Sequence, residues 1–404
     1  MTLQIEETRS ADSTGAIPQQ ARRIGASRSL GRVDVHRDPR AAEPAWAELE
    51  ALCPASIYQT RRFLLPWIDA NAGPRSLTPM IVVAHDTTGE PVALLPFGIT
   101  RRGPVSVAEF LGGVDSNANF GLYRPGVPFS PADLESLLRA AAAKALPKPD
   151  LFLLINQPVQ IEGDPNPLDI FPHQPSASFC HAGSLDPVPQ TFMASRLSKD
   201  TAKKLRKKRQ RLETMGTLRL LTGRSPAAAA RILDVFYEHK LERFRRKHIK
   251  SGFDRSESRS FLERACCADT GENRPAVELY ALTLGDRIIA TYGGGVHRGH
   301  LHLMFNAFDP DETIARCSPG DILLQMILEA GCSEGLAGFD LGIGEARYKS
   351  TWCDRAEPLF DSVLAISPLG SAFSRVESLR RHAKRAIKQS EWAWPIAQRL
   401  MRRG

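Results

Sequence analysis

The feature of this sequence that most restricts its fold is an internal repeat. A segment beginning at Ser130 and another beginning at Ser318 each contain 27 residues and align without a gap at an offset of 188. Both open with Ser-Pro-x-Asp, which is typical of a helix start, and both end in an apolar run typical of a buried strand. A repeat of this length indicates two copies of one α/β unit rather than a short-period solenoid. The alternative is a chance match between two helix–strand segments.

The elements that precede each copy also follow one order, and this favours duplication. A strand and two helices come first, and a hairpin and a third strand follow. In the first half the helices are predicted at Pro44–Leu52 and Thr60–Ala72, and the hairpin strands at Pro79–His85 and Pro91–Thr100. In the second half the helices are predicted at Pro226–Arg246 and Glu257–Ala268, and the hairpin strands at Ala276–Leu284 and Ile288–Val296.

The length of 404 residues suits two such units with tails. We predict a disordered leader (1–30), a first unit (31–190), a second unit (191–368) and a basic amphipathic helical tail (369–404). A content of 42% hydrophobic and 24% charged residues excludes a mostly disordered chain. No apolar run approaches the roughly 20 residues of a membrane-spanning helix. The N-terminus lacks a secretory pattern and the seven cysteines form no CxxC pair, which predicts a soluble protein of the cytoplasm.

The net charge of +8 is concentrated in two segments. Nine lysines and arginines face one acid between Arg196 and Arg211, and nine face two acids from Arg375 to the end. The rest of the chain is mildly acidic. Two basic segments in an otherwise mildly acidic chain are only weak evidence of nucleic-acid binding. The first stripe has no interleaved aromatic residues for base stacking, so we expect a solvated helix face and no nucleic-acid partner.

The second half also carries the residues of a family resemblance. Ser318-Pro-Gly-Asp opens a helix, Phe339-Asp-Leu-Gly-Ile-Gly-Glu-Ala-Arg-Tyr-Lys-Ser-Thr-Trp-Cys follows it, and a basic segment spans Leu197–Glu213. This pattern resembles the CelD-like acetyltransferases associated with cellulose biosynthesis, which are relatives of the FemAB transferases and have duplicated GNAT domains. The resemblance covers roughly residues 40 to 365 and is strongest from 196 to 363. It implies an α/β (α+β) fold of duplicated GNAT-like units, each a mixed, mostly antiparallel sheet flanked by helices.

The helix start in the second copy is the predicted nucleotide site. Free N–H groups and the positive end of a helix dipole attract phosphate. Arg316 can pair with phosphate, Ser318 can cap the helix or donate, and Gly320 allows a close backbone approach, with Asp321 completing the motif. The first copy has Ala132 in place of the glycine, so we regard the first unit as degenerate. The alternative is an ordinary capped helix.

The resemblance assigns further roles around the strand that follows. It places Asn306 on the strand that pairs with pantetheine. Asp340 interrupts an apolar strand, which is unfavourable unless the acid is paired or functional. Glu345 is a possible base, Tyr348 a proton donor to the departing thiolate, and Lys349 a contact to the substrate. For Asp340, a structural salt bridge to Lys349 is an almost equal alternative.

Histidines and cysteines offer weaker hypotheses. His300 and His302 share one face of a predicted strand, but no third ligand completes a metal site, and we predict none. His302 as a base near the acyl centre is the less favoured alternative. Cys353 lies in no arrangement for nucleophilic catalysis, and neither does the pair Cys266-Cys267, so we expect structural roles.

The basic tail has an apolar stripe with helical spacing. The stripe consists of Phe373, Val376, Leu379, Ala383 and Ile387, and it continues with Trp392, Ile396 and Leu400. A helix of this kind can lie on a membrane surface or pack on its own domain. We favour packing.

Together these features predict an acyl-CoA-dependent N- or O-acyltransferase, most simply an acetyltransferase. It would hold no permanent cofactor, would use acetyl-CoA or another acyl-CoA as co-substrate, and would act on a small-molecule or saccharide acceptor in exopolysaccharide or cellulose biosynthesis. One alternative is a FemAB-type transferase that takes an aminoacyl group from tRNA. Another is a non-catalytic scaffold for envelope assembly.

Overall fold

A computed structural model describes residues 30–73, 77–247, 252–267, 274–344 and 346–390. Three predictions therefore lie wholly or partly outside the described residues: the leader up to residue 29, the catalytic role of Glu345, and the apolar residues of the tail beyond 390.

The first half forms the predicted strands and helices. In chain order they are β1 (Leu30–His36), α1 (Glu43–Leu52), α2 (Arg61–Asn71), β2 (Thr78–Asp86), β3 (Pro91–Arg102), β4 (Val105–Phe110), β5 (Leu122–Tyr123), α3 (Pro131–Lys144) and β6 (Leu151–Pro158). A proline-rich connection follows, and the sequence predicted no elements there. It contains β7 (Gln160–Ile161), β8 (Asp164–Pro165), β9 (His173–Pro175), β10 (Cys180–Ser184) and α4 (Pro189–Arg196).

The second half repeats the order and adds a long final helix. Its elements are α5 (Lys199–Glu213), β11 (Leu218–Thr222), α6 (Pro226–Arg246), α7 (Ser256–Cys267), β12 (Glu278–Leu284), β13 (Arg287–His297), β14 (His300–Phe308), α8 (Glu312–Ala315), α9 (Pro319–Ser333), β15 (Gly338–Ile343), α10 (Arg347–Trp352), β16 (Arg355–Glu357), β17 (Leu359–Ala365) and α11 (Pro368–Gln389). No helix in the described part of the chain has the length and apolar character needed to cross a bilayer.

Two sheets of the same plan confirm the predicted mixed, mostly antiparallel architecture. The first has the order β1-β2-β3-β4-β6-β17-β9, with β5 on β3, and the second has the order β11-β12-β13-β14-β15-β10-β16. The parallel pairs are β4 with β6 and β14 with β15, and each joins the strand that follows the hairpin to the strand that follows the repeated helix. The 27-residue repeat is therefore a structural repeat.

The two sheets exchange one strand in each direction. β17 comes from the end of the second half but pairs with β6 and β9 in the first sheet. β10 precedes residue 190 but pairs with β15 and β16 in the second sheet. The predicted boundary between two units at residue 190 remains a proposal. Each of the two sheets contains a strand from the other side of this boundary. The tail helix α11 was expected to pack on its own unit, but it lies on the first sheet, because β17 leads it there. Phe373 of the apolar stripe packs against that sheet, whereas Val376 and Leu379 are exposed.

A shared core joins the halves. One apolar cluster contains Trp46 and Phe63 from the first half and Phe236 and Phe261 from the second. The rings of Phe63 in α2 and Phe261 in α7 lie 5.2 Å apart at a steep angle, a favourable aromatic geometry. A second cluster, which contains Phe97, belongs to the first half almost entirely.

Replacement of Phe63 by alanine tests this shared core. We expect a loss of about 3–5 kcal/mol in the free energy of unfolding, because a fully buried ring leaves a cavity. Hydrogen exchange should accelerate in α7 as well as in α2. Phe97→Ala is the matched control, since it removes an equally buried ring and should leave α7 protected. Equal protection of α7 in both variants would contradict a core shared between the halves.

Candidate active site

The parallel strands β14 and β15 separate soon after they pair. Their register contains three pairs, the last of which places His302 opposite Asp340. β15 then continues along β10, where Ile343 lies opposite Cys180. The strands thus leave an opening beyond His302 that is bordered by backbone groups, and buried backbone groups need partners.

A β-bulge in β14 lies at this opening. Gly293 is opposite Phe305 and Gly294 is opposite Leu303, so Met304 is the additional residue. An additional residue shifts the alternation of side chains along the strand by one position. Leu301 and Leu303, before the bulge, accordingly pack in the cluster with α9, whereas Phe305 and Ala307, after it, pack in the cluster with α6. The polar residues His302 and Asn306 are therefore directed to opposite faces of the sheet.

His302 and Asp340 form a hydrogen-bonded pair on the face that carries α6. Nδ1 of His302 contacts the carboxylate of Asp340, and each side chain is 12% exposed. The other carboxylate oxygen accepts a hydrogen bond from the N–H of Gly342 at 2.9 Å. Asp340 thus has a partner, as its unfavourable position in an apolar strand requires. That partner is His302, which lies opposite Asp340 in the last paired position of β14 and β15, and not Lys349 as the sequence suggested.

Tyr58 from the first half completes this group. Its ring centroid is 5.8 Å from that of His302, and its hydroxyl accepts a hydrogen bond from Nδ2 of Asn117 at 2.7 Å. Burial raises the pKa of Tyr58 well above its usual value, and the negative charge of Asp340 raises it further. The tyrosine therefore stays protonated at neutral pH. Sequence reasoning missed Tyr58 because its contact with His302 links the two halves and leaves no local pattern.

A cavity of about 1040 Å³ opens beside the pair. Tyr58, Cys180, His302 and Asp340 line it. Charged residues of both halves also reach it, namely Glu162, Arg298, Arg355 and Glu357. The cavity is large enough for a small ligand and carries polar groups that could fix its orientation.

A second polar cluster lies on the face that carries α9. The Asn306 side chain lies close to the hydroxyl groups of Tyr292 and Tyr348 and acts to lower the pKa of both. Burial raises the pKa of both tyrosines, the charge of Asp321 adds to this effect, and the charge of Arg243 opposes it for Tyr348. Three of the predicted site residues, Asn306, Asp321 and Tyr348, are thus close together.

The start of α9 is held in an unexpected way. Ser318 has a left-handed backbone with a φ of 50°, and its side chain does not cap the helix. Its hydroxyl accepts a hydrogen bond from Nζ of Lys208 at 2.7 Å. Lys208 also lies near Asp321, whose pKa is raised by burial and lowered by the lysine charge. The basic helix α5 therefore contributes a cation to this helix start, although its cations were predicted to face solvent only.

Arg316 and Gly320 occupy open positions at the same helix start. The Arg316 side chain is 72% exposed, and its guanidinium lies 3.3 Å from the carboxylate of Glu312. The structure therefore does not bring Arg316 into the cluster around Tyr348. A Cβ atom added at Gly320 would meet only the Phe308 ring, at 3.9 Å. This leaves room for a ligand to approach the backbone.

Lys349 supports the end of β15. It is buried, and its Nζ donates to the carbonyl groups of Gly342 and Ile343 at 3.0 and 2.8 Å. Gly342 itself has a φ of 71°, and a Cβ atom there would lie 2.5 Å from Nδ2 of Asn117. Glycine is thus required at this position because the Asn117 side chain leaves no room for a Cβ atom. A contact between Lys349 and the substrate remains a prediction.

Lys240 of α6 is a further residue that the sequence analysis missed. Its Nζ donates to the carbonyl of Asn306 at 2.9 Å and lies 5.2 to 5.8 Å from the centroids of the Phe236, Phe244 and Phe253 rings. Burial lowers the pKa of Lys240 to about 8. A signal existed, because Phe236 and Phe244 lie one helical turn on either side of the lysine and share its face.

The cysteines near the site are poor nucleophiles. Burial raises the pKa of Cys180 and brings that of Cys353 to about 12, so both thiols stay protonated. The Cys266 side chain is also buried, while the Cys267 side chain lies outside the described residues. Within the described ranges, no group of three or more His, Cys, Asp or Glu residues is placed to hold a metal ion.

Residues 199–350 match the family model of the acetyltransferase (GNAT) domain. The match begins at α5 and ends in α10, so it includes the divergent strands, the His302–Asp340 pair, the cluster around Asn306 and the start of α9, but not Tyr58. No curated protein matches the sequence of this chain.

Solved structures show the same fold at low sequence identity. FemX is 10% identical with a TM-score of 0.56, and the alignment covers 83% of this chain and 97% of FemX. A conserved protein of unknown function from Bacteroides thetaiotaomicron is 12% identical with a TM-score of 0.51, at coverages of 82% and 100%. The C-terminal domain of a candidate lysylphosphatidylglycerol synthetase from Agrobacterium fabrum is 12% identical with a TM-score of 0.50, at coverages of 84% and 96%. The similarity extends over both halves.

The environment of Lys240 predicts a pH dependence of stability. A lysine whose pKa falls from 10.5 to about 8 on folding binds its proton more tightly in the unfolded chain. The free energy of unfolding of the parent should therefore rise with pH between these values relative to that of Lys240→Met, by at most about 1.4 kcal/mol per pH unit. Denaturation of both proteins from pH 7 to 10.5 would show this difference. Parallel curves for the two proteins would contradict the burial of the charge.

Proposed function

We propose that this chain transfers an acyl group, most simply acetyl, from an acyl-CoA thioester to an amine or hydroxyl group. Residues 199–350 carry a GNAT-type acetyltransferase domain, and such domains typically use acyl-CoA as co-substrate. The observation that carries the proposal is the divergence of β14 and β15, with titratable side chains on both faces of the sheet at that point. A thioester in this opening would contact the groups that bind CoA on one face of the sheet. On the other face it would meet the cavity for the amine or hydroxyl substrate.

The face with α9 supplies the groups that a thioester needs. The start of α9 offers the backbone N–H of Gly320 and the positive end of the helix dipole to phosphate, and Lys208, Ser318 and Arg316 lie around it. Asn306 and the part of β14 beyond its pairing with β15 would hold pantetheine. Tyr348 carries its proton at neutral pH, since burial raises a pKa that is already well above neutral, and this proton is available to the departing CoA thiolate.

The opposite face supplies a base. His302 lines the cavity with its Nδ1 bonded to Asp340, which leaves Nε2 to take a proton from the acceptor. The acceptor nitrogen or oxygen attacks the thioester carbonyl as this proton moves, and the carboxylate stabilises the imidazolium. The tetrahedral intermediate then collapses, the C–S bond breaks, and Tyr348 protonates the sulfur. Neither step requires a covalent acyl-enzyme.

The resemblance to CelD-like acetyltransferases supports a saccharide acceptor, such as a precursor of an exopolysaccharide or of cellulose. The cavity beside His302 is compatible with such a ligand, because charged and polar side chains surround it. We place the reaction in the cytoplasm, where acyl-CoA is supplied.

A second candidate function is a FemAB-type transfer of an aminoacyl group from tRNA to an acceptor bound in the same cavity. Helix α5 favours it, since only Leu205 and Leu212 of this helix are buried and most of its lysines and arginines face solvent. Binding of tRNA through these cations would weaken steeply with salt. A non-catalytic scaffold is the third candidate and would bind neither donor.

Calorimetry with acetyl-CoA separates the three candidates. We expect saturable binding that weakens roughly tenfold in Lys208→Ala and in Arg316→Ala, because each substitution removes a cation beside the proposed phosphate site. Lys207→Ala is the matched control. Lys207 directly precedes Lys208 in α5 but is exposed, so its replacement should leave the affinity unchanged. Binding of aminoacyl-tRNA alone would support the second candidate. Absence of binding to either donor would support the third.

A further inference from the structure

Helix α11 exposes most of its apolar side chains, although Phe373 packs against the first sheet. Val376 and Leu379 are 64% and 72% exposed, and Leu369 and Ile387 are 45% and 43% exposed. These residues, together with the exposed alanines 372 and 383, lie at intervals of three and four residues and form one stripe of the helix. We call this the outer stripe. A surface helix normally directs such a stripe into the core, so a stripe of this size facing water indicates an interaction surface.

Polar contacts hold the inner face of α11 on the first sheet. Glu377 and Arg381 form an ion pair at 3.1 Å, and Arg381 also donates to Asp361 of β17 at 2.9 Å. Gly370 approaches the carbonyl of Asp150 so closely that a Cβ atom would lie 1.9 Å from the oxygen. The glycine contact and the buried ion pairs fix the rotation of the helix. The outer stripe cannot turn inward without breaking them.

Positive charge borders the outer stripe. Helix α11 contains six lysines and arginines against one acid, Glu377, which is buried and paired. On a helix, Arg375 falls on one side of the stripe, and Arg380 and Lys384 fall on the other. Neither Arg375 nor Lys384 has an ion pair among the residues that the structure describes. Beyond α11 the sequence continues with two tryptophans and three arginines.

We infer that the outer stripe binds the surface of an anionic phospholipid bilayer. Apolar side chains would enter the boundary between headgroups and acyl chains, and the flanking cations would pair with lipid phosphates. A second copy of the chain is a poorer partner, because its own α11 would bring the same positive charge. Nucleic acid is also poorer, since it would leave the leucine and valine side chains in water. The chain would then be held at the membrane with its active site on a separate element.

Vesicle sedimentation of the full chain tests this inference. We expect binding to vesicles of phosphatidylcholine with about one-third phosphatidylglycerol, weak binding to phosphatidylcholine alone, and loss of binding as salt rises. The double variant Val376→Ser with Leu379→Ser should bind roughly tenfold more weakly. The double variant Leu52→Ser with Met215→Ser removes two apolar side chains that are 47% and 43% exposed elsewhere, and it should bind as the parent does.

Three outcomes would overturn the inference. The first is that the parent does not bind the anionic vesicles, and the second is that both double variants lose binding equally. The third is a dimer in light scattering that the stripe variant alone converts to a monomer, because a second copy would then cover the stripe. Melting temperatures of the variants should equal that of the parent, since the replaced side chains face solvent. A weaker fold therefore cannot account for a selective loss.

Discussion

The site depends on the early end of pairing between β14 and β15. Where the strands separate, their backbone groups find side-chain partners: Lys240 donates to the carbonyl of Asn306, and Lys349 donates to the carbonyls of Gly342 and Ile343. Asn117 accepts from the N–H of Ile343 at 3.4 Å. Because unpaired buried backbone groups are unfavourable, these contacts stabilise an open sheet. The buried Lys349 and the partly buried Lys240, on opposite edges, thus support the opening in which we place the thioester.

The first half contributes to the site although its own helix start lacks the features of a nucleotide site. It supplies Tyr58 and Asn117 to the group around His302, and it provides one wall of the cavity. The exchange of β10 and β17 and the core around Phe63 bind the halves together. Duplication therefore provides more than a second copy of the fold, because the acceptor side of the proposed site exists only where both halves meet.

Periodicity and the repeat predicted the helices and hairpins well, since these are local features, and the resemblance identified Asn306, Asp321 and Tyr348, which the fold brings together. The sequence did not reveal the exchange of β10 and β17, because β10 is short and lies in a proline-rich stretch, and the pairing of β17 with β6 joins residues far apart in the chain. It also missed the partner of Asp340, since that hydrogen bond joins two strands, and the opposite orientations of His302 and Asn306, which depend on a bulge at Met304. Arg316 matched the expected pattern but remains on the surface beside Glu312.

A crystal structure of the chain with bound CoA would test the proposed position of the thioester directly. We expect the pyrophosphate at the start of α9, within reach of Lys208 and Ser318, and the sulfur between the ends of β14 and β15, with Tyr348 on one side and the His302–Asp340 pair on the other. CoA bound at any other place, or an opening that remains closed by side chains when CoA is present, would contradict it.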